Sequence, residues 1–258
     1  MEHSEHLPGG SGGVWRIRDA HGAVRIHRPT GPWTPAVHEL LRHLAAKGLD
    51  GIPQVLGFDS EGREVLSYLP GDTLNPETAQ VSDGALAAAA AWLRRFHEAV
   101  ADFSPTSDEW RQGEHRVDRA RGEIICHNDP GLYNWVVVED EFAGMIDWDR
   151  AGPGLPIDDL AFLVWSGVPL LREIPVADAA RRISVAAAAY GGVDGSTLLD
   201  AVTRRMGLIA ERWRAGIERG DPGTLALRDA GIMDTHTARV AGFAARKEHV
   251  RAMLGTSR

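Results

Sequence analysis

Apolar and polar residues alternate most clearly near the start of the chain. Val14-Trp15-Arg16-Ile17-Arg18, and Val-Arg-Ile-His-Arg within Ala23 to Arg28, read as two strands, because every second side chain of an extended segment faces the same way. Asp19 to Gly22 supplies the turn between them. The period then changes. Thr34 can cap, Pro35 fits the first helical position, and Val37, Leu40, Leu41 and Leu44 form an apolar row before Gly48, which predicts a helix. Gln54 to Phe58 and Glu64 to Leu69 read as strands around a Ser60-Glu61-Gly62 turn, and Pro70-Gly71 interrupts. Helical spacing dominates afterwards, from Ser82 and Asp83 to Val100 and over 158–165, 176–190, 197–219 and 224–254, with Gly220-Asp221-Pro222 as a stop. One hairpin breaks this run: Trp135 to Val138, a Glu139-Asp140-Glu141 turn, and a returning strand from Ala143 to Ile146. The shift in pattern near Leu69 to Asp72 divides the chain into a strand-rich part, 1–70, and a helical part, 71–258.

A chain of 258 residues can bury a substantial core, and 43% hydrophobic with 25% charged residues is ordinary globular composition. No apolar run approaches the roughly 18 residues of a membrane helix, and Met1 opens no signal peptide, so a cytoplasmic protein with no membrane partner is expected. The single cysteine, Cys126, forms no internal disulfide and belongs to no zinc pattern. A net charge of -8 argues against nucleic acid as a partner and favours a neutral or cationic small molecule. Nothing in the pattern specifies an oligomeric state.

Against that background the hairpin carries chemistry. Asp129, Asn134 and Asp147 have the spacing of a phosphoryl-transfer site, in which one Asp orients or deprotonates an acceptor hydroxyl, an Asn five residues on binds a metal ion, and a later Asp holds the bridging Mg²⁺. The hairpin returns Asp147 beside Asn134, and Asp147 follows the apolar Gly144-Met145-Ile146, a strand end rather than a loop tip. His127, two residues before Asp129, can organise the loop by hydrogen bonds. The plainer alternative makes these residues turn formers around Pro130-Gly131; spacing and intervening strands together favour the catalytic one. A two-metal hydrolase built from His127, Asp129, Asp147 and Asp149 leaves the Asn134 spacing unexplained. Cys126, after Ile124-Ile125, reads as a buried strand residue rather than a thiol nucleophile.

His127-Asn128-Asp129-Pro130-Gly131-Leu132-Tyr133-Asn134, then Ile146-Asp147-Trp148-Asp149, then Asp158-Asp159-Leu160-Ala161 resemble the aminoglycoside phosphotransferase and choline kinase family. The order of glycine-rich loop, two strands, helix, two strands, linker and helical part is shared along nearly the whole chain. The resemblance implies an α+β, two-lobed protein-kinase-like fold with a small antiparallel-sheet lobe and a larger, mainly helical lobe. It implies Asp129 as catalytic base, Asn134 and Asp147 as Mg²⁺ ligands, Asp149 as acceptor-facing or supporting, and Asp159, or its neighbour Asp158, as a brace for the loop. Gly9-Gly10-Ser11-Gly12-Gly13 would lie over the phosphates of ATP or GTP, since bare backbone N–H groups approach anionic oxygens closely; a tail has the same composition. The backbone of Ser67, Tyr68 and Leu69 would meet adenine, and Trp148, with Trp165 and Trp213, an acceptor.

One departure stands out. A kinase holds nucleotide phosphates with a strand Lys positioned by a helix Glu, yet no Lys precedes Lys47. Arg28 or Arg25 must stand in; Arg28, on the same strand face as Ile26, is preferred. The helix position for the Glu is occupied by Val37, with His38 flanking the apolar row and Glu39 pointing away, so the pair is absent or rebuilt. Arg111 to Arg121 read as solvated faces, although Arg116, Arg119 and Arg121 could face a cleft. Two functions follow: a small-molecule kinase that moves the γ-phosphoryl of ATP or GTP to a hydroxyl of a small, cationic or neutral acceptor, and a catalytically impaired kinase-fold binding or immunity-type protein.

Overall fold

Five N-terminal strands form one antiparallel sheet whose spatial order departs from chain order. In a computed structural model that describes residues 3–7, 13–220 and 222–255, the strands are β1 (His3–Leu7), β2 (Val14–Arg18), β3 (Val24–Arg28), β4 (Val55–Phe58) and β5 (Glu64–Ser67), and the sheet runs β1-β2-β3-β5-β4. Placing β5 next to β3 has a chemical consequence. Arg28 and Glu64 become register partners, as do Arg25 and Ser67. Strand β1 carries no apolar alternation, which is why its sequence did not announce it; the backbone ladder to β2 and a Glu5–Arg16 ion pair at 2.6 Å hold it.

Helix α1 (Thr34–Ala46) buries Ala36, Val37, His38, Leu40, Leu41 and Leu44. Its cap differs from the sequence expectation. Trp33 is the N-cap residue and gives no side-chain cap, whereas the Thr34 hydroxyl accepts the Gly31 N–H at 2.9 Å and so ties the preceding turn. The carboxylate of Glu39 leaves the buried face and accepts the Thr106 N–H at 2.8 Å.

The chain gathers into two compact units that interleave along the sequence, with the first change of unit between Leu74 and Asn75. One unit comprises the chain up to Leu74, Arg95–Asp129 and Asn134–Pro156. Besides the five-stranded sheet it holds β6 (Asp72–Thr73), a small hairpin of β7 (Glu109–Trp110) and β8 (Gly113–Glu114), β9 (Ile124–Cys126), β10 (Trp135–Val138), β11 (Glu141–Met145) and β12 (Gly152–Gly154). Strands β11, β10 and β6 form a three-stranded sheet, and β9 pairs with β12. Glu139 and Asp140, both at positive φ (50° and 66°), make the tight turn of the β10–β11 hairpin. Strand β11 lies against the Gly51 loop, where Met145 N–H donates to the Gly51 carbonyl at 2.8 Å. Only glycine fits at 144, because a Cβ there would come within 2.7 Å of Gly51 Cα.

The second unit contains Asn75–Arg94, Pro130–Tyr133 and the chain from Ile157 onward. Its helices are the larger part of α2 (Asp83–Ala99), then α3 (Pro156–Gly167), α4 (Val176–Tyr190), α5 (Gly195–Glu218), α6 (Pro222–Asp229) and α7 (Ile232–Gly255). Asp194 caps α5 by accepting the Ser196 and Thr197 N–H groups, each at 2.9 Å. The single helix expected over 224–254 is two helices, because Gly231 takes a left-handed φ of 70° that ends α6. No helix among the described residues is long and apolar enough to cross a membrane.

Candidate functional site

Strand β9 ends at Cys126 and the chain turns through His127 and Asn128 to reach Asp129. Asn128 adopts φ 63°, a left-handed conformation that Asn tolerates better than most residues, and its amide nitrogen donates to the Gly152 carbonyl at 3.0 Å. His127 is 0% exposed. Its Nε2 bonds the Ile146 carbonyl at 3.2 Å and its ring lies 4.6 Å from that of Trp148, so one side chain links the approach to Asp129 with the approach to Asp147. Those contacts are made from full burial. The hairpin completes the convergence. Ile146 N–H donates to the Asn134 carbonyl at 2.9 Å, and the Asn134 amide nitrogen donates to the Asp129 carbonyl at 2.9 Å and its carboxylate at 3.5 Å. Asp129, Asn134 and the residue before Asp147 thus meet at one end of β10–β11. Asp147 itself sits at φ 61°, ψ 67°, a costly backbone state for a non-glycine residue, and opens the short 3₁₀ turn Trp148–Arg150.

A single guanidinium dominates the electrostatics. Arg28 Nε lies 3.0 Å from Glu64 Oε1, and Nη2 lies 3.2 Å from Asp147 Oδ1 and in contact with Asp149 Oδ1. Burial alone would lower its pKa, but the carboxylates of Asp149, Asp147 and Glu64 reverse that and raise it above the ordinary value. Burial also pushes the Asp149 carboxyl up, against the pull of Arg28 and Arg111. Arg111 Nη1 holds Asp149 Oδ2 at 2.7 Å while its guanidinium lies 4.7 Å from the Trp33 ring. Arg25 takes no part, since it pairs with Asp19 at 3.3 Å. Behind Glu64, His38 Nε2 meets Oε2 at 2.7 Å, and both side chains are buried. Three residues are thus linked here: Arg28 on β3, Glu64 on β5 and His38 on α1.

Other candidates fall out as follows. Gly9, Gly10, Ser11 and Gly12 lie outside the described residues; Gly13, at φ 77°, immediately precedes β2. The Ser67 N–H donates to the Gln54 carbonyl at 2.9 Å and its hydroxyl accepts the Gln54 N–H at 2.8 Å, so both groups are occupied within the sheet. The Leu69 side chain lies beside Gly144. Trp148 is 2% exposed, packs edge-on to Phe96 and donates Nε1–H to the Met145 carbonyl at 3.2 Å, which makes it a packing residue and not an acceptor contact. Asp149, committed to two arginines, is likewise a holder of charge. Asp159 is buried, whereas Asp158 pairs with Arg204 at 2.6 Å. Arg111 is not on a solvated face: it lies in the turn of the β7–β8 hairpin and pairs with Asp149, whereas Arg116 pairs with Asp108 at 2.6 Å and Arg119 donates to the Ala101 and Phe103 carbonyls.

Sequence reasoning missed Glu64, Arg111 and Arg150, whose Nε lies 3.6 Å from Asp129 Oδ2, and it left His38 without a role. Two signals were available. Glu64 is an acid opening an otherwise apolar strand, and His38 interrupts a buried helix face. For a divalent ion the donor set is suitable: Asn134 directs its amide nitrogen to Asp129, leaving the oxygen as its ligand atom, and Asp147 adds a carboxylate that is 42% exposed, both hard oxygen donors of the kind Mg²⁺ prefers.

The match to known proteins agrees with this architecture. A model of the phosphotransferase enzyme family (APH) covers residues 5–123 and 109–195, and the chain belongs to that family. It is 34% identical over 178 residues to a trifolitoxin immunity protein of Rhizobium leguminosarum bv. trifolii, a match spanning 68% of this chain and 66% of that protein's length. Among solved structures, an amicoumacin kinase, hAmiN, in complex with AMP-PNP, Ca²⁺ and Ami superposes with a TM-score of 0.65 at 15% identity, covering 95% of this chain and 88% of the other. A macrolide 2'-phosphotransferase, MphH, from Brachybacterium faecium gives 0.62 at 19% identity, covering 93% and 91%. At such identities the likeness defines the fold, which is that of the kinase-like phosphotransferases.

Proposed function

We propose that this protein transfers the γ-phosphoryl group of ATP or GTP to a hydroxyl of a small molecule. The observation that carries the reading is the convergence of Asp129, Asn134, Asp147 and Arg28 within one structural unit, at one end of one hairpin. Asp129 orients the acceptor hydroxyl and accepts its proton, and Arg150 beside it keeps the carboxylate directed. Asn134 and Asp147 would hold Mg²⁺, which when bound neutralises charge on the nucleotide phosphates. Arg28, permanently charged and forked, grips phosphate oxygens in place of the missing Lys. His127 keeps the two halves of the site in register through the Ile146 carbonyl. The nucleotide in the amicoumacin kinase complex supports this use of the fold.

The test is nucleotide consumption by the purified chain across a panel of aminoglycosides, amino alcohols, amino sugars and macrolides, with and without Mg²⁺. Turnover should require Mg²⁺, and Asp129→Asn should lower it by about 10²–10⁴-fold while nucleotide binding persists. An Asp129→Asn protein as fast as the parent would refute the assignment.

The immunity-protein relative favours a second reading, in which the fold protects a cell by capturing a toxic compound. Challenge of sensitive cells with trifolitoxin and with the antibiotic panel separates the two. Protection that survives Asp129→Asn supports capture; protection that disappears with it supports phosphoryl transfer.

A further inference from the structure

We propose that Glu64 and His38 are positioning residues that fix the plane of the Arg28 guanidinium, so that its Nη edge faces the nucleotide phosphates. The destination of that edge rests on the phosphotransferase reading; the brace itself does not. A Lys ammonium has no plane to set, and a helix acid beside it is enough. A guanidinium is a flat fork, and which edge faces the site decides whether it can bind. Here Nε lies in an ion pair with Glu64 Oε1 at 3.0 Å, and the Nη2 end is the one that meets Asp147 and Asp149.

Strand register makes this possible. Arg28 and Glu64 are partners across β3 and β5, so the two side chains share a face of the sheet without a loop between them. Glu64 in turn needs an anchor. Its second oxygen receives His38 Nε2 at 2.7 Å from α1, where a helix acid would otherwise be sought, and the ring of His38 lies 5.3 Å from that of Phe58 on β4. The helix therefore still reaches the cation, with a strand carboxylate between them. Glu64 is 3% exposed and His38 2%. Apolar residues of equal volume could fill this space at similar or better stability, so packing gives no reason for a buried acid–imidazole pair. Orientation of Arg28 does. With the Nε edge anchored, the Nη edge can exchange the Asp147 carboxylate for phosphate oxygens without losing its aim.

Two readouts on His38→Leu, His38→Gln and Glu64→Gln test the proposal. The first, without nucleotide, is hydrogen exchange at the Arg28 guanidinium followed by NMR; the second is calorimetric affinity for AMP-PNP with Mg²⁺. His38→Leu and Glu64→Gln should each speed the exchange and weaken the affinity by about tenfold, the worth of one charge-assisted hydrogen bond. His38→Gln, whose amide can donate from the Nε2 position, should recover most of both. A lowered thermal midpoint with exchange and affinity unchanged would mean the pair is only structural and would overturn the brace. If the parent fails to bind AMP-PNP with Mg²⁺ yet His38→Leu still speeds exchange at the Arg28 guanidinium, the brace survives and the phosphotransferase reading falls.

Discussion

Replacing Arg28 by Met removes one cation and leaves three carboxylates, and the cost can be worked from their surroundings. Taking one partner from a buried ion pair costs about 3–5 kcal/mol, because the other is stranded in a medium that solvates it poorly. Asp147 is 42% exposed and adds little. Glu64 retains His38 at 2.7 Å and Asp149 retains Arg111 at 2.7 Å, so both losses are softened. The low end, about 3 kcal/mol or a hundredfold in the folding equilibrium, is therefore expected at neutral pH. The pH dependence has a definite sign. Asp149 already holds its proton above the ordinary 3.8 because it is buried, and losing Arg28 removes the largest pull downward. Between 3.8 and that raised value the folded state binds more protons than the unfolded one, so stability rises as pH falls through the window. Urea denaturation of parent and Arg28→Met at pH 7.5 and at pH 5 measures both effects. A loss under about 1 kcal/mol, or a deficit that widens on acidification, would show that the network does not carry the charge balance described.

Gly144→Ala should cost about 1–3 kcal/mol in the same assay and disturb Asp147 three residues on, because the new Cβ would press on Gly51 Cα at 2.7 Å. Phe96→Ala empties a fully buried site beside Trp148 and should lose about 3–5 kcal/mol; a smaller loss would mean the neighbours collapse into the space. Asp194 is held below the ordinary carboxylate value by the Thr197 and Ser196 bonds at the start of α5. Its contribution is present above the unfolded value near 3.8 and is lost as pH falls through the lower folded value, so the acid limb of a thermal-melting profile should flatten in Asp194→Ala.

The strands β2 and β3 and the helix α4 were legible because a two-residue or a 3.6-residue period runs through each, and β10 because it is a short apolar run ended by a polar turn. Strand β1 was not, since its side chains carry no such period and its place is set by pairing with β2. The 224–254 stretch has helical spacing on both sides of Gly231, and only the φ of that residue divides it. Within the site, the intervals between Asp129, Asn134 and Asp147 survive folding because they are set by a local loop and a hairpin. The sequence left Asp149 either acceptor-facing or supporting and set Trp148 toward an acceptor, because adjacency in sequence says nothing of which way a 3₁₀ turn faces.

The chain by itself determined the local geometry: a period, a turn and a spacing act over a few residues, and their energetics need no distant partner. It determined, too, that no Lys precedes Lys47. What Arg28 pairs with was decided by tertiary structure alone. Strand order brings residue 64 beside residue 28, and helix packing brings residue 38 behind it. Electrostatic partnership depends on distance in space and on burial, and neither is written in the separation of residues along a chain.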